Sequence, residues 1–248
     1  MSKSNLNGKT ALITGAAKRL GRQIALALAS EGVNILVHFN SSEEEAEELC
    51  MSIRAEGVKA WKIKADFESE AESENLIKRA IELSGKIDIL INNASIFPAG
   101  TLDTMEFDDV VHNMRINAWV PFVLTRSFHS MAGRGSVINM LDTRIKGYDF
   151  KHAAYILSKH VLSVLTAMTA MEYAPDLRIN AVAPGLVLPP PEETEAYLDR
   201  MKGSLPLKRH GGPEDIAEAV LFLLKSEFIT GQTIYVDGGR NIRKYAVK

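Results

Sequence analysis

The 248-residue chain has a single cysteine, Cys50. That excludes an internal disulfide framework and any thiolate metal cluster, and it leads us to expect a reducing, cytoplasmic setting. An excess of one charge is also missing: 29 Lys and Arg stand against 31 Asp and Glu, for a net charge of −2. Such a balance provides no broad field for nucleic acid, so no nucleic-acid partner is expected. No apolar run approaches the roughly 20 residues that span a bilayer, and the polar stretch 1–9 lacks the apolar centre of a secretory signal. No membrane partner is expected either. The six histidines, His38, His112, His129, His152, His160 and His210, have no metal-ligand spacing, and no metal is assigned. Linkers, internal repeats and low-complexity segments are absent too; the one proline run, Pro189-Pro190-Pro191, is short. We therefore read residues 1–248 as one domain, with an insertion near 186–212 at the mouth of a site.

What the sequence does contain is a regular alternation. Ala11-Leu12-Ile13, Val33 to Val37, Ile87 to Ile91, Ser136 to Met140, Arg178 to Val182 and Thr233 to Val236 are short apolar runs of the kind found in parallel strands buried on both faces. Between them lie helical stripes, Ile24, Ala25, Leu28 and Ala29, then Ala46, Leu49, Cys50 and Ile53. Gly32, Gly57 and Gly85 each fall where a helix should stop before a strand, where glycine takes the left-handed conformation at little cost. Repeated helix-to-strand punctuation predicts an α/β fold: a doubly wound, Rossmann-type parallel sheet flanked by helices.

After the first strand comes Thr14-Gly15-Ala16-Ala17-Lys18-Arg19-Leu20-Gly21. Gly15 permits a tight turn and Gly21 a close approach of helix to strand, and the helix that follows offers free N–H groups and a partial positive charge to a pyrophosphate. In NAD-binding folds, an acid at the end of the second strand holds the ribose 2′-hydroxyl. Here that strand runs out as His38-Phe39-Asn40-Ser41-Ser42 with no acid before Glu43. Asn40, Ser41 and Ser42, with Lys18 and Arg19 nearby, suit a 2′-phosphate instead, and the expected cofactor is NADPH. Ser42 is also placed to cap the next helix, with Glu45 closing a capping box.

The loop is followed in order by Ala65-Asp66-Phe67, Asn92-Asn93-Ala94-Ser95, Arg115-Ile116-Asn117-Ala118, Tyr155-x-x-x-Lys159, Asn180 to Gly185 and Val236-Asp237-Gly238-Gly239. This ordered set, from Lys9 to Gly239, resembles the short-chain dehydrogenase/reductase family. The resemblance implies Tyr155, Lys159 and Asn117 as catalytic residues, with Asn117 supporting a proton-relay water. It places Asp66 and Phe67 beside an adenine, and Asn93, Ala94, Ser95, Pro184 and Gly185 around the cofactor. Tyr155 and Lys159, four residues apart, share a helix face. A lysine cation there is expected to lower the phenol towards working pH and make it a usable proton donor.

Most of the family has serine thirteen residues before the tyrosine; this chain has Asp142. An ionised carboxylate only accepts hydrogen bonds and would repel the charge that develops on a ketone oxygen, so Asp142 suits a substrate that offers N–H groups or takes a proton on nitrogen. Arg19 stands where the loop usually has glycine, Ser95 follows Asn-Asn-Ala, and Phe97 comes two residues later. Together, Arg19, Ser95, Phe97 and Asp142 resemble the pteridine reductase branch, in which the phenylalanine stacks on the pterin and Asp, Tyr and Lys act together. The expected substrate is a small, pterin-like heteroaromatic, bound by Arg19, Ser95, Phe97, Asp142 and Tyr155. The alternatives are a carbonyl reductase, such as a 3-oxoacyl-carrier-protein reductase, and a non-catalytic NADPH-binding sensor. The family resemblance also implies a homotetramer, for which Val161, Leu162, Val164, Leu165, Met168 and Met171 supply a broad apolar surface, part of it facing the sheet and the remainder open to another subunit.

Overall fold

The structure, a computed structural model, describes residues 5–190 and 193–245. Pro191, the last residue of the proline run, and Glu192 lie outside the described residues, as do residues 1–4 and 246–248. Strands β1 (Thr10–Ile13), β2 (Asn34–Phe39), β3 (Ala60–Lys64), β4 (Ile89–Asn92), β5 (Gly135–Met140), β6 (Leu177–Pro184) and β7 (Thr233–Val236) form one sheet in the order β3-β2-β1-β4-β5-β6-β7. Every pairing is parallel. The chain winds outward from β1 to β3, then returns to the other side of β1 with β4. The switch point therefore lies between β1 and β4, where open sheets of this kind leave a crevice at the strand ends.

Strand parity explains why continuous apolar runs were needed. Ala11, Ile13, Ile35, Val37, Ile89 and Ile91 point to one face, where they pack with α1 (Arg19–Ser30), α2 (Glu43–Ala55) and α8 (Pro213–Lys225). Leu12, Leu36, Leu90 and Val137 point to the other and meet α3 (Glu70–Ser84) and α5 (Val120–Ala132) through Leu76, Ile77, Leu124 and Phe128. Successive strand residues face opposite sides, so a polar residue at either parity would be buried. Gly32, Gly57 and Gly85 adopt φ of +80°, +85° and +85° after α1, α2 and α3, the left-handed helix exits expected of them.

Three further elements shape the site. α4 (Phe107–Met114) runs through a π turn, Arg115–Trp119, into α5. α6 (Ala153–Glu172) has the length and mean hydropathy, 1.2, of a membrane-crossing helix, yet half of that window is buried in the fold. The insertion after β6 folds over the strand ends as α7 (Glu195–Lys202), anchored by a small cluster of Leu186, Leu198 and Leu205.

Candidate active site

The glycine loop is held by close backbone contacts and by hydrogen bonds to the ends of β2 and β4. Gly15 has φ +61°, and a Cβ there would sit 3.1 Å from Ala94 Cα; at Gly21 it would lie 2.4 Å from the Gly15 carbonyl oxygen. Neither position can carry a side chain without moving backbone. The Thr14 hydroxyl accepts from the amides of Asn93 (2.9 Å) and Ala94 (3.0 Å), while Asn93 Nδ2 donates to the carbonyls of Thr14 and Gly15. The ends of β1 and β4 are thus laced together at the switch point. α1 has no side-chain cap and no acid in its first turn, so its first N–H groups remain available for an anion.

His38, one of the histidines with no assigned role, completes this cradle. Its Nδ1 accepts the Gly15 amide at 3.0 Å, its Nε2 lies 3.1 Å from the Ala65 carbonyl, and its ring stacks on Phe67 at 4.5 Å. Both contacts are satisfied together by the neutral ring protonated on Nε2. Burial pulls the imidazole down to about 4, against an ordinary 6.5.

The residues expected to meet a 2′-phosphate are arranged differently from the sequence reading. Ser42 precedes α2, but its side chain caps nothing, and Glu45 does not close a capping box. Glu45 instead pairs with Lys18 at 2.5 Å. Asn40 donates to Asp66 at 3.4 Å. Ser41, next in the chain, is exposed. Arg19 takes φ +52°, in the left-handed region that explains why glycine is usual there, and its guanidinium donates to the Pro189 carbonyl at 2.5 Å. It ties the cofactor loop to the insertion.

A cleft of about 450 Å³ brings together Arg19, Leu20, Asn93, Ser95, Phe97, Asp142, Tyr155, Lys159, Pro184 and Gly185. At Gly185 a Cβ would fall 2.5 Å from Asp237 Cβ. Asn117 sits behind the cleft, in the π turn. Its Oδ1 accepts from the Ser95 hydroxyl and the Ile96 amide, both at 2.9 Å, and its Nδ2 donates to the Ile96 carbonyl and Ser158. From this turn Asn117 holds the segment that follows β4 and bears Ser95.

At the centre, Tyr155 donates its hydroxyl to Asp142 Oδ2 at 3.0 Å. Asp142 Oδ1 accepts the Arg144 amide at 2.7 Å, and the Arg144 guanidinium lies 3.4 Å from Oδ2. Lys159 donates to the Met140 carbonyl at 2.8 Å, with its ammonium 5.7 Å from the centre of the Tyr155 ring. Burial and the Asp142 carboxylate push the Tyr155 phenol well above its ordinary 10. The expected lowering by Lys159 is therefore reversed: burial pulls the lysine itself down to about 8, partly offset by Asp142, and the carboxylate stands nearer the phenolic oxygen than the ammonium does.

Arg144, Asp149 and His152 form a network that the sequence reading missed. Asp149 lies 3.1 Å from Arg144 and 2.9 Å from His152. Burial alone would raise its carboxyl, but the Lys151 amide, His152 and Arg144 hold it below its ordinary value. His152 also stacks on Phe97 at 3.8 Å, and the Arg144 guanidinium lies over the same ring at 4.8 Å. The Phe97 ring meets Tyr155 edge-on. Stacking of Phe97 on a substrate thus requires it to exchange a partner it already has. The only sequence signal for this network was the nearness of Arg144 to Asp142.

A family model described as enoyl-(acyl carrier protein) reductase matches residues 15–241. The fold and the ordered site define an oxidoreductase, and the chain belongs to the short-chain dehydrogenase/reductase family. It is 36% identical to the 3-oxoacyl-[acyl-carrier-protein] reductase FabG of Staphylococcus epidermidis, over 93% of this chain and 98% of that one. Among solved structures, it resembles FolM alternative dihydrofolate reductase 1 from Brucella suis in complex with NADP, with a TM-score of 0.91, 30% identity and 98% of each chain covered. A blue fluorescent protein from a metagenomic library, in complex with NADPH, has a TM-score of 0.88 and 30% identity over 96% of this chain and 99% of that one.

Proposed function

We propose that the protein is an NADPH-dependent pteridine reductase that reduces a C=N bond of a pterin-like ring. The cradle suits a dinucleotide: two glycines that no other residue can replace without backbone movement, an uncapped helix N-terminus, and Lys18 at its rim. Lys18 is engaged with Glu45, but both groups are exposed, and a solvent-screened pair of this kind contributes little. A 2′-phosphate therefore displaces it at small cost. When bound, NADPH supplies the hydride.

The observation that carries the substrate class is the Tyr155–Asp142 hydrogen bond. Asp142 is an acceptor in a place where a ketone needs a donor. A ring bearing an amino group or ring N–H satisfies its carboxylate, whereas a ketone oxygen meets repulsion. Tyr155, kept protonated, directs its proton to Asp142, so the proton reaches substrate nitrogen from Tyr155 or through the carboxylate and a water. Lys159 keeps a positive charge beneath the pair at neutral pH and donates towards the ribose side of the cleft. Arg19 and Ser95 orient phosphate and substrate.

The likeness to FabG favours a second reading, 3-oxoacyl reduction. A panel of NADPH with dihydrobiopterin, dihydrofolate and a 3-oxoacyl thioester separates the two: turnover of the thioester alone overturns the pterin reading. The homotetramer belongs to the same proposal. Val164, Met168 and Met171 are exposed on α6, beside an apolar groove lined by Val111, Trp119 and Leu165, and a monomer at micromolar concentration by light scattering would contradict it. We also place the protein in the cytoplasm. Cys50 is consistent with that setting, since it is buried and its thiol is pushed up to about 11, which leaves it unreactive.

A further inference from the structure

Proton delivery to a substrate leaves behind a charge that the site must hold. The Tyr155–Asp142 pair begins with one negative charge, on the carboxylate. Once a proton has passed to the substrate, directly or through Asp142, an O–H bond of the pair has broken and a new bond to that proton has formed. The pair then carries two negative charges until solvent returns the proton. Oxygens 3.0 Å apart, in a site shielded from water, cannot hold that charge without a cation close by.

Two cations stand near the pair, and they are not equivalent. Lys159 spends a donor on the Met140 carbonyl at 2.8 Å, and its ammonium lies 5.7 Å from the centre of the Tyr155 ring. Arg144 lies 3.4 Å from Asp142 Oδ2, the same oxygen that accepts the Tyr155 hydroxyl, and its amide donates to Oδ1 at 2.7 Å. One residue thus addresses both carboxylate oxygens. At 3.4 Å the guanidinium contact is longer than an ordinary charge-assisted bond, so it can shorten as charge builds. Arg144 is itself braced. Its neighbour Thr143 donates to the buried Asp237 carboxylate, Asp149 lies 3.1 Å from its Nε and 2.9 Å from His152 Nδ1, and its guanidinium rests over Phe97.

We propose that Arg144 is the positioning residue for proton transfer: it holds the Asp142 carboxylate against Tyr155 and neutralises the charge that builds on the pair, while Asp149 and His152 keep it in place. This deepens the proposed reaction and rests on it for Tyr155 as proton donor, whichever acceptor takes the hydride. The phenol feels the same cation. Burial and Asp142 push it up, and the Arg144 guanidinium opposes them. The remaining charged groups around it are Asp149, which also pushes it up, and Lys159 on its own helix; His152 reaches it only through the Phe97 ring.

The test is a cycle of Arg144→Gln, Tyr155→Phe and the double variant, assayed with NADPH and whichever of dihydrofolate, dihydrobiopterin and a 3-oxoacyl thioester the wild type reduces. Arg144→Gln should lower kcat about 100-fold and raise the solvent deuterium isotope effect on kcat, with NADPH affinity by fluorescence titration unchanged. Arg144→Lys keeps the charge without the planar fork, and should recover about ten-fold of that loss. In the Tyr155→Phe background, Arg144→Gln should change kcat less than about two-fold, because no phenol proton leaves. Asp149→Asn leaves Arg144 present but unbraced; a loss of about ten-fold with the same isotope signature is expected, and this variant serves if Arg144→Gln folds poorly. A readout free of turnover is the ionisation of a fluorinated tyrosine replacing Tyr155, followed by absorbance, whose midpoint should rise in Arg144→Gln. Full additivity in the cycle, an unmoved isotope effect, no recovery in Arg144→Lys, or a midpoint that stays or falls overturns the role of Arg144. A Tyr155→Phe protein that keeps wild-type kcat overturns the proton-donor reading separately, because the fluorotyrosine midpoint reports on Arg144 without turnover.

Discussion

Acid should dismantle the cofactor cradle through His38 before most of the core responds. The imidazole is buried against Phe67, accepts the Gly15 amide and reaches the Ala65 carbonyl, so a second ring proton would destroy one of these bonds and place an unpaired charge inside. Its value in the fold is about 4, against 6.5 ordinarily. The group is thus depressed in the folded state: the unfolded chain binds the extra proton first, and stability falls as pH drops from 6.5 towards 4. At about 1.4 kcal/mol per pH unit, that interval removes roughly 3 kcal/mol, a large part of a typical domain stability. Urea unfolding at a series of pH values should show this loss in the wild type. His38→Asn, whose side-chain oxygen can still accept from Gly15, should start lower but lose less between pH 6.5 and 4.5. Parallel losses in the two proteins, or an NMR titration midpoint for His38 near 6.5, would refute the reasoning.

Other consequences can be measured directly. Lys18→Ala should raise KM for NADPH about ten-fold, the worth of a charge-assisted contact to the 2′-phosphate, and leave KM for NADH unchanged in steady-state assays. Arg19→Gly should be more stable than Arg19→Ala by about 1 kcal/mol in chemical denaturation, because only glycine relieves the left-handed backbone; both should raise KM for substrate by freeing the insertion at Pro189. Asn117→Ala strands the Ser95 hydroxyl and the Ile96 amide, and should cost about 2 kcal/mol in thermal unfolding, with a larger loss in kcat.

The sheet was legible because both of its faces are covered. At Leu12 and Ile13, or Leu36 and Val37, either parity had to be apolar, and the glycines at 32, 57 and 85 marked the helix exits without ambiguity. The cleft residues were legible as an ordered set of types. What escaped were features that depend on which partner a side chain finds in space. Nothing in Arg115-Ile116-Asn117 signals a π turn, and the partners that Asn117 finds there, Ser95 and Ile96, lie more than twenty residues away along the chain. Ser42 looked like a cap, yet Glu45 had a cation across the crevice to choose. The phenol of Tyr155 was expected to fall because a lysine lies one helical turn away. It rises because burial and Asp142, thirteen residues earlier, act on the oxygen itself. His38 and Arg144 carried no periodic signal at all, and each acts through contacts with residues far away or around a bend.

The central claim is that Asp142 selects a nitrogen heterocycle over a ketone. It is tested most directly by kcat/KM for dihydrofolate and for a 3-oxoacyl thioester in the wild type and in Asp142→Ser. The account predicts that the wild type favours the pterin, and that serine lowers pterin turnover at least 100-fold, about 2.7 kcal/mol of transition-state stabilisation, while thioester reduction appears or rises. A wild type that prefers the thioester, with a preference ratio unmoved by the substitution, would contradict it.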